Sequence, residues 1–279
     1  MIRKKANLRI TRKTILYIIL IISSSTMIMP FLWMISTSLK TTQYTLSIPI
    51  QLLPDKVTLE GYKRLFEVTS FGRMFTNSFL IAIITTFGQL LISSMAAYAF
   101  ARIKFRGSDL LFLLYLATMM IPSQVTVTPL FILMRYLGWL DTYQGLIVPG
   151  LFKAFGVFLM RQSFLSLPRE LEEAAYIDGA NRLVIFIRVI LPLSKPVLIT
   201  QGLMAFMDSW NSYLWPLFVT SKAEMFTLPL GLANLQGQYL TEWNVVMAGI
   251  VLSIIPMLCI YIVAQKYLIK GFVTSGLKG

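Results

Sequence analysis

Residues 75–101 read FTNSFLIAIITTFGQLLISSMAAYAFA, and no charged side chain interrupts them. As an α-helix this segment is about 40 Å long at 1.5 Å per residue, more than the roughly 30 Å hydrocarbon core of a bilayer. A segment that crosses lipid must be helical, because its backbone groups find no water to bond. Five other apolar segments are also long enough to cross. We place the six spans near 15–38, 75–101, 109–134, 144–165, 197–219 and 245–266.

The composition places the whole chain in a membrane rather than in water. Of the 279 residues, 56% are apolar and 13% are charged, whereas soluble domains are about 45–50% apolar and roughly 25% charged. A soluble enzyme cannot bury so much apolar surface in one core, and a disordered chain is far more polar. The sequence therefore predicts an all-α polytopic membrane protein, with a basic tail at 1–14 and a single transmembrane domain at 15–279.

The distribution of basic residues predicts the orientation of the spans. The formal net charge is +13, which in a soluble protein would suggest a nucleic-acid partner. With the N-terminus inside, 17 of the 25 basic residues lie in inner segments and 7 lie in outer ones. This bias follows the positive-inside rule, so we expect both termini in the cytoplasm and no nucleic-acid partner. The first apolar run has no small-residue cleavage site, so we expect an uncleaved first span.

Side-chain chemistry excludes several functions before any motif is considered. Histidine is absent and Cys259 is the only cysteine, which removes His-based proton relays, His-containing triads and most zinc sites. The chain has no G-x-x-x-x-G-K-[ST] phosphate loop, so it is not expected to hydrolyse ATP. We predict no catalytic residue, no metal site and no cofactor in this chain.

The most polar stretch after the N-terminal tail is the predicted inner loop, residues 166–196. Pro168 suits a helix start, and the acids in the next turns complement the positive end of the helix dipole; these are Glu170, Glu172 and Glu173. Asp178-Gly179 offers a stop, because glycine readily adopts positive φ. A second helix from about Asn181 would end at Pro192. Its apolar face would consist of Leu183, Phe186, Ile187 and Ile190.

Two interpretations of this loop remain open from its chemistry alone. One is an amphipathic helix–turn–helix that lies on the inner membrane surface without a partner. The other is a docking element for a basic protein surface. Three glutamates close to an anionic leaflet are unfavourable unless something basic meets them, which supports the second interpretation.

Ordered motifs along nearly the whole chain resemble a known family. Glu173-Ala174-Ala175, Gly179 and Ile190-Leu191-Pro192 resemble the EAA loop of ABC importer permeases. The residues around them look like the carbohydrate-uptake branch, the maltose and multiple-sugar type. Further matching motifs are Ala96–Arg102 with Phe105 and Gly107, Leu137-Gly138 with Asp141–Tyr143, Gly145–Ile147, Trp210-Asn211 with Pro216-Leu217, Thr227–Gly231 and Val273–Gly279.

The resemblance implies an ABC type I importer permease fold and a set of partners. These are a second homologous permease subunit, two ATP-binding subunits, an extracytoplasmic solute-binding protein, a sugar substrate and the lipid bilayer. ATP and Mg would be bound by the partner ATPase subunits, and the chain would be a multi-pass component of the bacterial cell (inner) membrane. The 166–196 loop would dock on an ATPase through Glu173, Ala174, Ala175, Asp178 and Gly179. Glu172 is one position off the motif and is predicted to matter less.

Polar residues of the fifth span suggest a substrate pathway. Asp208, Asn211, Ser212 and Trp215 fall at i, i+3, i+4 and i+7, so a continuous helix would place them on one face. Acid, amide, hydroxyl and indole groups are suited to the hydroxyls and C–H faces of a sugar. The alternative is that they hold the helices of the bundle together. Lys153 is the only base well inside a span, where a charge normally faces protein or water.

The resemblance also implies roles for a late outer loop and for the C-terminal tail. Within the loop at 221–243, Gln236, Gly237, Gln238 and Tyr239 are expected to contact the docked binding protein, and the alternative is a plain solvated loop. The tail at 267–279 is expected on the ATPase side. In the maltose-type family the tail of the corresponding subunit inserts between the two ATPases.

Three other functions compete with sugar import by this machinery. The first keeps the machinery but changes the cargo, for example to a phosphorylated polyol, and the sequence does not dismiss it. The second is an ion-coupled secondary transporter, which is disfavoured because it would need intramembrane carboxylates or histidines and inverted repeats. The third is an intramembrane hydrolase, which is disfavoured because neither Cys259 nor Asp208 has a catalytic partner near it in sequence.

Overall fold

A computed structural model describes residues 2–45, 51–236 and 241–276, and the regular elements within them are helices joined by short turns. The α-helices are α1 (Ile2–Ser38), α2 (Glu60–Val68), α3 (Phe71–Arg102), α4 (Ser108–Ala117), α5 (Ser123–Tyr136), α6 (Tyr143–Ile147), α7 (Ala154–Leu165), α8 (Glu170–Ile177), α9 (Arg182–Ile185), α10 (Leu191–Leu193), α11 (Lys195–Trp210), α12 (Leu214–Val219), α13 (Leu228–Ala233) and α14 (Trp243–Gly276). The predicted all-helical architecture is confirmed for these residues.

Three helices of the described residues are long and apolar enough to cross a membrane by themselves. They are Lys13–Ser38, Phe71–Arg102 and Trp243–Lys266. Three bent pairs raise the number to as many as six if each pair forms one span. These pairs are Ser108–Met120 with Ser123–Tyr136 (99°), Tyr143–Leu151 with Ala154–Leu165 (41°), and Arg182–Leu193 with Lys195–Trp210 (81°).

The third predicted span bends at a proline, and the fourth bends at two residues with an extended backbone. Pro122 follows Ile121, whose φ of −83° and ψ of 117° are extended, because proline disfavours the helical region for the residue before it. Helix α5 nevertheless runs through Pro129 without a break. In the fourth predicted span, the backbone is extended at Phe152 and Lys153, and α7 begins after Lys153.

The fifth predicted span is not one continuous helix. Helix α11 ends at Trp210, Asn211 caps it, and α12 begins only at Leu214. Pro216 accounts for the interruption, since it has no N–H to donate to the carbonyl of Ser212 and its ring would clash with that carbonyl in a helix. The expectation that 197–219 forms a single helix is therefore wrong.

The chain separates into two compact units, of which the first comprises residues 1–69 and 234–254. The predicted amphipathic piece at 59–66 is present here as α2, with Gly61 and Leu65 buried. Asn244 Nδ2 donates to the carbonyl of Lys40 at 3.2 Å, and the Ser38 and Tyr62 hydroxyls are 3.0 Å apart. These bonds tie the end of α1 to α2, and the segment that follows α1 to the start of α14.

The second unit, residues 70–233 and 255–279, contains the predicted ATPase-docking and pathway residues. Its largest apolar cluster joins α3, α7 and the α9 region and includes Ala97, Val157, Met160, Phe164 and Ile185. At the junction of α3, α7 and α11, Gly156 permits close approach of the helices. A Cβ on this glycine would lie 2.6 Å from Gln201 Nε2 and 2.7 Å from Ser93 Oγ.

Candidate functional site

Helix α8 and its C-terminal turn form the first half of the predicted helix–turn–helix. The acids in its first turns are those expected, and the helix ends at Ile177. Gly179 has a φ of +81°, and its N–H donates to the carbonyl of Tyr176 at 3.0 Å, while Ala180 N–H donates to Ala175 at 2.9 Å. This pair of bonds is the Schellman arrangement, which a glycine at this position permits. The predicted turn at Asp178-Gly179 is confirmed.

The second helix of the loop starts where the sequence predicted and turns part of its apolar side chains inward. Asn181 Oδ1 accepts a bond from Val184 N–H at 2.9 Å, which is an N-cap. Phe186 to Ile190 then form a π-helical turn. Ile185, Phe186 and Ile190 are buried, whereas Leu183 and Ile187 are exposed. Of the four residues of the predicted apolar face, Phe186 and Ile190 pack into the apolar cluster of this chain, and Leu183 and Ile187 stay accessible on its surface.

The residues predicted to contact an ATPase are accessible in this chain. Glu173, Ala174, Asp178 and Gly179 are exposed, and Ala175 is partly buried against the apolar cluster. Beside them Ile177 is 87% exposed, which is unusual for an isoleucine and extends the accessible surface of the turn. The helix–turn–helix thus presents acidic, small and apolar residues outward.

Glu172 is the acid of α8 that turns inward. Its Oε1 lies 2.9 Å from Nε of Arg102, and the two side chains are 12% and 4% exposed. The guanidinium also donates to two carbonyls of the α7 end, those of Phe164 and Leu167. The sequence predicted only a contribution of Glu172 to the helix dipole and a smaller role than Glu173, because a helical pattern of acids does not reveal which one meets a buried arginine.

A second arginine joins the same ends of the helices. Arg161 of α7 donates through Nε to the carbonyl of Phe100 at 3.2 Å. Its guanidinium also lies 3.6 Å from a carboxylate oxygen of Asp109 and 4.2 Å from the centre of the Phe112 ring. Helices α3, α4 and α7 are therefore linked at this point by charge and by a cation–π contact.

The four polar residues predicted for the pathway lie on both sides of the helix interruption. Asp208 is on α11, Asn211 and Ser212 are in the break, and Trp215 is on α12. The amide of Asn211 donates to the carbonyl of Met207 at 2.9 Å. The indole of Trp215 donates to the carbonyl of Gly145 at 2.9 Å, so this side chain contributes to packing between α12 and α6.

Lys153 and Asp208 form an ion pair that sequence reasoning did not connect. Lys153 Nζ is 3.3 Å from Asp208 Oδ2, and the side chains are 50% and 63% exposed. A lysine just before α7 is unfavourable next to the positive end of the helix dipole, and the carboxylate of Asp208 offsets it. Both groups remain accessible on the surface of this chain.

The predicted binding-protein contact is described only at its first residue. Gln236 is exposed, and Gly237, Gln238 and Tyr239 lie outside the described residues, as do 277–279 of the tail. The loop that precedes them is fixed by two side chains for which the sequence predicted no such contact. Asn77 Nδ2 donates to the carbonyls of Glu224 and Phe226, and Asp141 Oδ1 accepts from two backbone N–H groups, those of Ser221 and Lys222.

Comparisons with known proteins agree with this geometry. The family described as "Binding-protein-dependent transport system inner membrane component" matches residues 89–273. The arabinooligosaccharides transport system permease protein AraQ of Halalkalibacterium halodurans is 39% identical over 227 residues, with 81% of both chains covered. The sn-glycerol-3-phosphate transport system permease protein UgpE of Yersinia enterocolitica is 34% identical over 268 residues, covering 93% of this chain and 95% of the relative.

A solved structure shows the same fold. A bacterial ABC transporter involved in the import of the acidic polysaccharide alginate contains a chain with a TM-score of 0.83 and 28% identity, covering 91% of this chain and 95% of that chain. Fold and motif together define a permease subunit of an ABC importer. The chain belongs to the family of binding-protein-dependent transport system inner membrane components, as its EAA loop indicated.

Proposed function

We propose that this chain forms one half of the membrane pathway of an ATP-driven importer for sugars, with oligosaccharides as the cargo. The observation that carries the proposal is the exposed helix–turn–helix of α8 and α9, which displays the EAA motif at the surface. The 39% identity to an arabinooligosaccharide permease supports the choice of cargo. A homologous permease would complete the pathway, and an extracytoplasmic solute-binding protein would deliver the sugar.

The topology that goes with this function has six spans and both termini in the cytoplasm. It is supported by the three single helices and by the bent pairs of the third and fourth predicted spans, with α11 and α12 along the fifth. The excess of basic residues in the inner segments supports the orientation. In this arrangement the 166–196 loop faces the cytoplasm. Two ATPase subunits there would bind ATP and Mg, and this chain would carry no catalytic residue.

Docking on an ATPase is assigned to the outward side of α8. Glu173 would pair with a basic residue of the ATPase. Ala174 and Ala175 are small, which suits a helix that seats closely in a cleft, and Gly179 holds the turn that ends the docking helix. The tail at 267–279 and the residues 236–239 are proposed to contact the ATPases and the binding protein, respectively.

The pathway is assigned to the exposed polar residues of the fifth span. Asp208, Asn211 and Ser212 would offer hydrogen bonds to sugar hydroxyls, and the Trp215 ring would lie beside them. The Lys153–Asp208 pair supports a neutral cargo, because a neutral sugar can bond both groups without separating them. An anionic cargo would be repelled by the carboxylate of Asp208.

The test is reconstitution of the complete importer in proteoliposomes. With the partner permease, two ATPases and the binding protein, we expect ATP-dependent uptake of arabino-oligosaccharides, and neither uptake nor ATP hydrolysis by this chain alone.

The second candidate cargo, a phosphorylated polyol, is suggested by the 34% identity to the glycerol-3-phosphate permease. Uptake of sn-glycerol 3-phosphate instead of the sugar would favour that candidate, and ATP hydrolysis by the isolated chain would contradict the whole assignment.

A further inference from the structure

Helix α8 carries acids on two sides that have different surroundings. Glu170 and Glu173 are exposed, whereas the Glu172 side chain is 12% exposed and lies against Arg102. An exposed carboxylate is available to a partner protein. A buried one is available only to the residues of its own chain, so Glu172 and Glu173 cannot perform the same task.

Arg102 occupies a point where three parts of the second unit meet. It is the last residue of α3, it donates to the carbonyls of Phe164 and Leu167, and it pairs with Glu172 of α8. Its planar guanidinium presents several N–H groups in a fixed geometry, so one side chain can hold all three partners in a fixed relation. A lysine would present the charge without this geometry.

Burial of the Arg102–Glu172 pair makes it unfavourable for either side chain to exchange its partner for water. A charge buried without its partner is strongly unfavourable, and water does not replace the partner where the side chains are only 4% and 12% exposed. A displacement of α8 that kept the pair intact would therefore have to move the end of α3 as well. Helix α3 is one of the long apolar helices, so the pair connects the loop to the membrane part of the chain.

We propose that Arg102 and Glu172 are the positioning pair that transmits movement of α8 to α3, while the outward side of α8 only attaches the ATPase. This inference rests on the proposed function, since it assumes that α8 docks on an ATPase. It divides attachment and transmission between adjacent residues, Glu173 and Glu172. A merely structural role for the pair would instead change assembly and stability without changing how ATP hydrolysis responds to sugar.

The experiment uses the complete importer with Glu172→Gln, and Glu170→Gln as the matched control on the same helix. Gln keeps the size of Glu and a polar oxygen beside Arg102, so the main loss is the charge. Three quantities are measured: co-purification of the ATPase, the ratio of ATP hydrolysis with and without sugar-loaded binding protein, and sugar transported per ATP. We expect Glu172→Gln to retain the ATPase but to lower the stimulation ratio and the sugar per ATP at least about fivefold, the low end of usual coupling between sites.

A second variant keeps the inference testable if Glu172→Gln reduces the amount of complex. Glu172→Asp keeps the charge on a shorter side chain, and we expect it to recover a substantial part of the stimulation ratio. Recovery of assembly without recovery of the ratio would overturn the inference, as would failure of both variants to accumulate. Loss of the ATPase from Glu172→Gln, or a ratio equal to that of Glu170→Gln, would overturn it as well. Failure of the unmodified importer to take up sugar would instead contradict the proposed function.

Discussion

Two ion pairs of the second unit, Arg102–Glu172 and Lys153–Asp208, each join two helices but differ in their surroundings. The Arg102–Glu172 side chains are 4% and 12% exposed, and those of Lys153–Asp208 are 50% and 63% exposed. Removal of one partner from a buried pair leaves a charge that water cannot solvate. An accessible pair is solvated or bound by something else when its partner is removed. The first pair therefore fixes the relative position of helices, and the second remains available to other molecules.

The largest effect on stability is expected from Arg102→Ala. The change leaves Glu172 buried without a cation and removes the donor from the carbonyls of Phe164 and Leu167. Loss of one partner of a buried pair costs about 3–5 kcal/mol. The measurement is the unfolding midpoint of the purified chain in detergent, with Arg106→Ala, at an exposed position, as the control. Equal midpoints for the two variants would show that the Arg102 contacts do not stabilise the fold.

The next largest effect concerns docking and is expected from Glu173→Lys. The residue is exposed, so the fold should be retained, but like charges placed against each other across an interface cost several kcal/mol. We expect loss of sugar uptake and weaker co-purification of the ATPase, with partial rescue by an acidic substitution at the basic residue of the ATPase.

Ala174→Trp is the steric counterpart of this charge reversal. A bulky side chain should also prevent docking, but a charge swap on the ATPase should not rescue it. Uptake and co-purification at the unmodified level in Glu173→Lys would show that this loop does not attach the ATPase.

Local signals made the loop predictable, whereas the partners of its charges depend on tertiary packing. Gly179 and Asn181 act through bonds to residues within a few positions along the chain, so their types predict the turn and the cap. Glu172 differs from Glu173 only because α3 brings Arg102 to one side of the helix. No pattern within 166–196 contains that information.

The fifth span also separates what the local sequence predicts from what depends on tertiary packing. Its hydrophobicity predicts a crossing segment, but the break between Trp210 and Leu214 follows from Pro216, whose effect on the carbonyl of Ser212 was readable from the sequence. The i, i+3, i+4, i+7 spacing predicts one shared face only for a continuous helix, which Pro216 prevents. The pairing of Asp208 with Lys153 was not readable, because it joins residues of different helices.

A smaller effect is expected from Gly179→Ala. A Cβ at this position would meet no atom within 4 Å, so the cost arises from the φ of +81° alone. For a non-glycine residue a left-handed conformation costs about 1–2 kcal/mol. We expect a destabilisation of this size and a proportionate decrease in ATPase attachment, measured by chemical unfolding and co-purification. Gly72→Ala is the control, because its Cβ also meets open space but lies within α3. Equal unfolding free energies for the two variants would contradict the role of the turn.

The smallest effect on stability is expected at the accessible pair, from Asp208→Asn. An ion pair this exposed contributes about 0–1 kcal/mol, so accumulation and the unfolding midpoint should change little if Lys153 faces a water-filled pathway. Sugar uptake should fall, because the carboxylate that orients Lys153 and accepts from sugar hydroxyls is lost.

If Lys153 instead faced lipid, the unpaired charge would cost about 2.5–3.5 kcal/mol and accumulation would fall. The double variant Lys153→Met with Asp208→Leu separates these cases: it should restore accumulation on a lipid-facing surface, and should abolish uptake in a pathway. Normal uptake by both variants would show that the pair only connects α7 to α11.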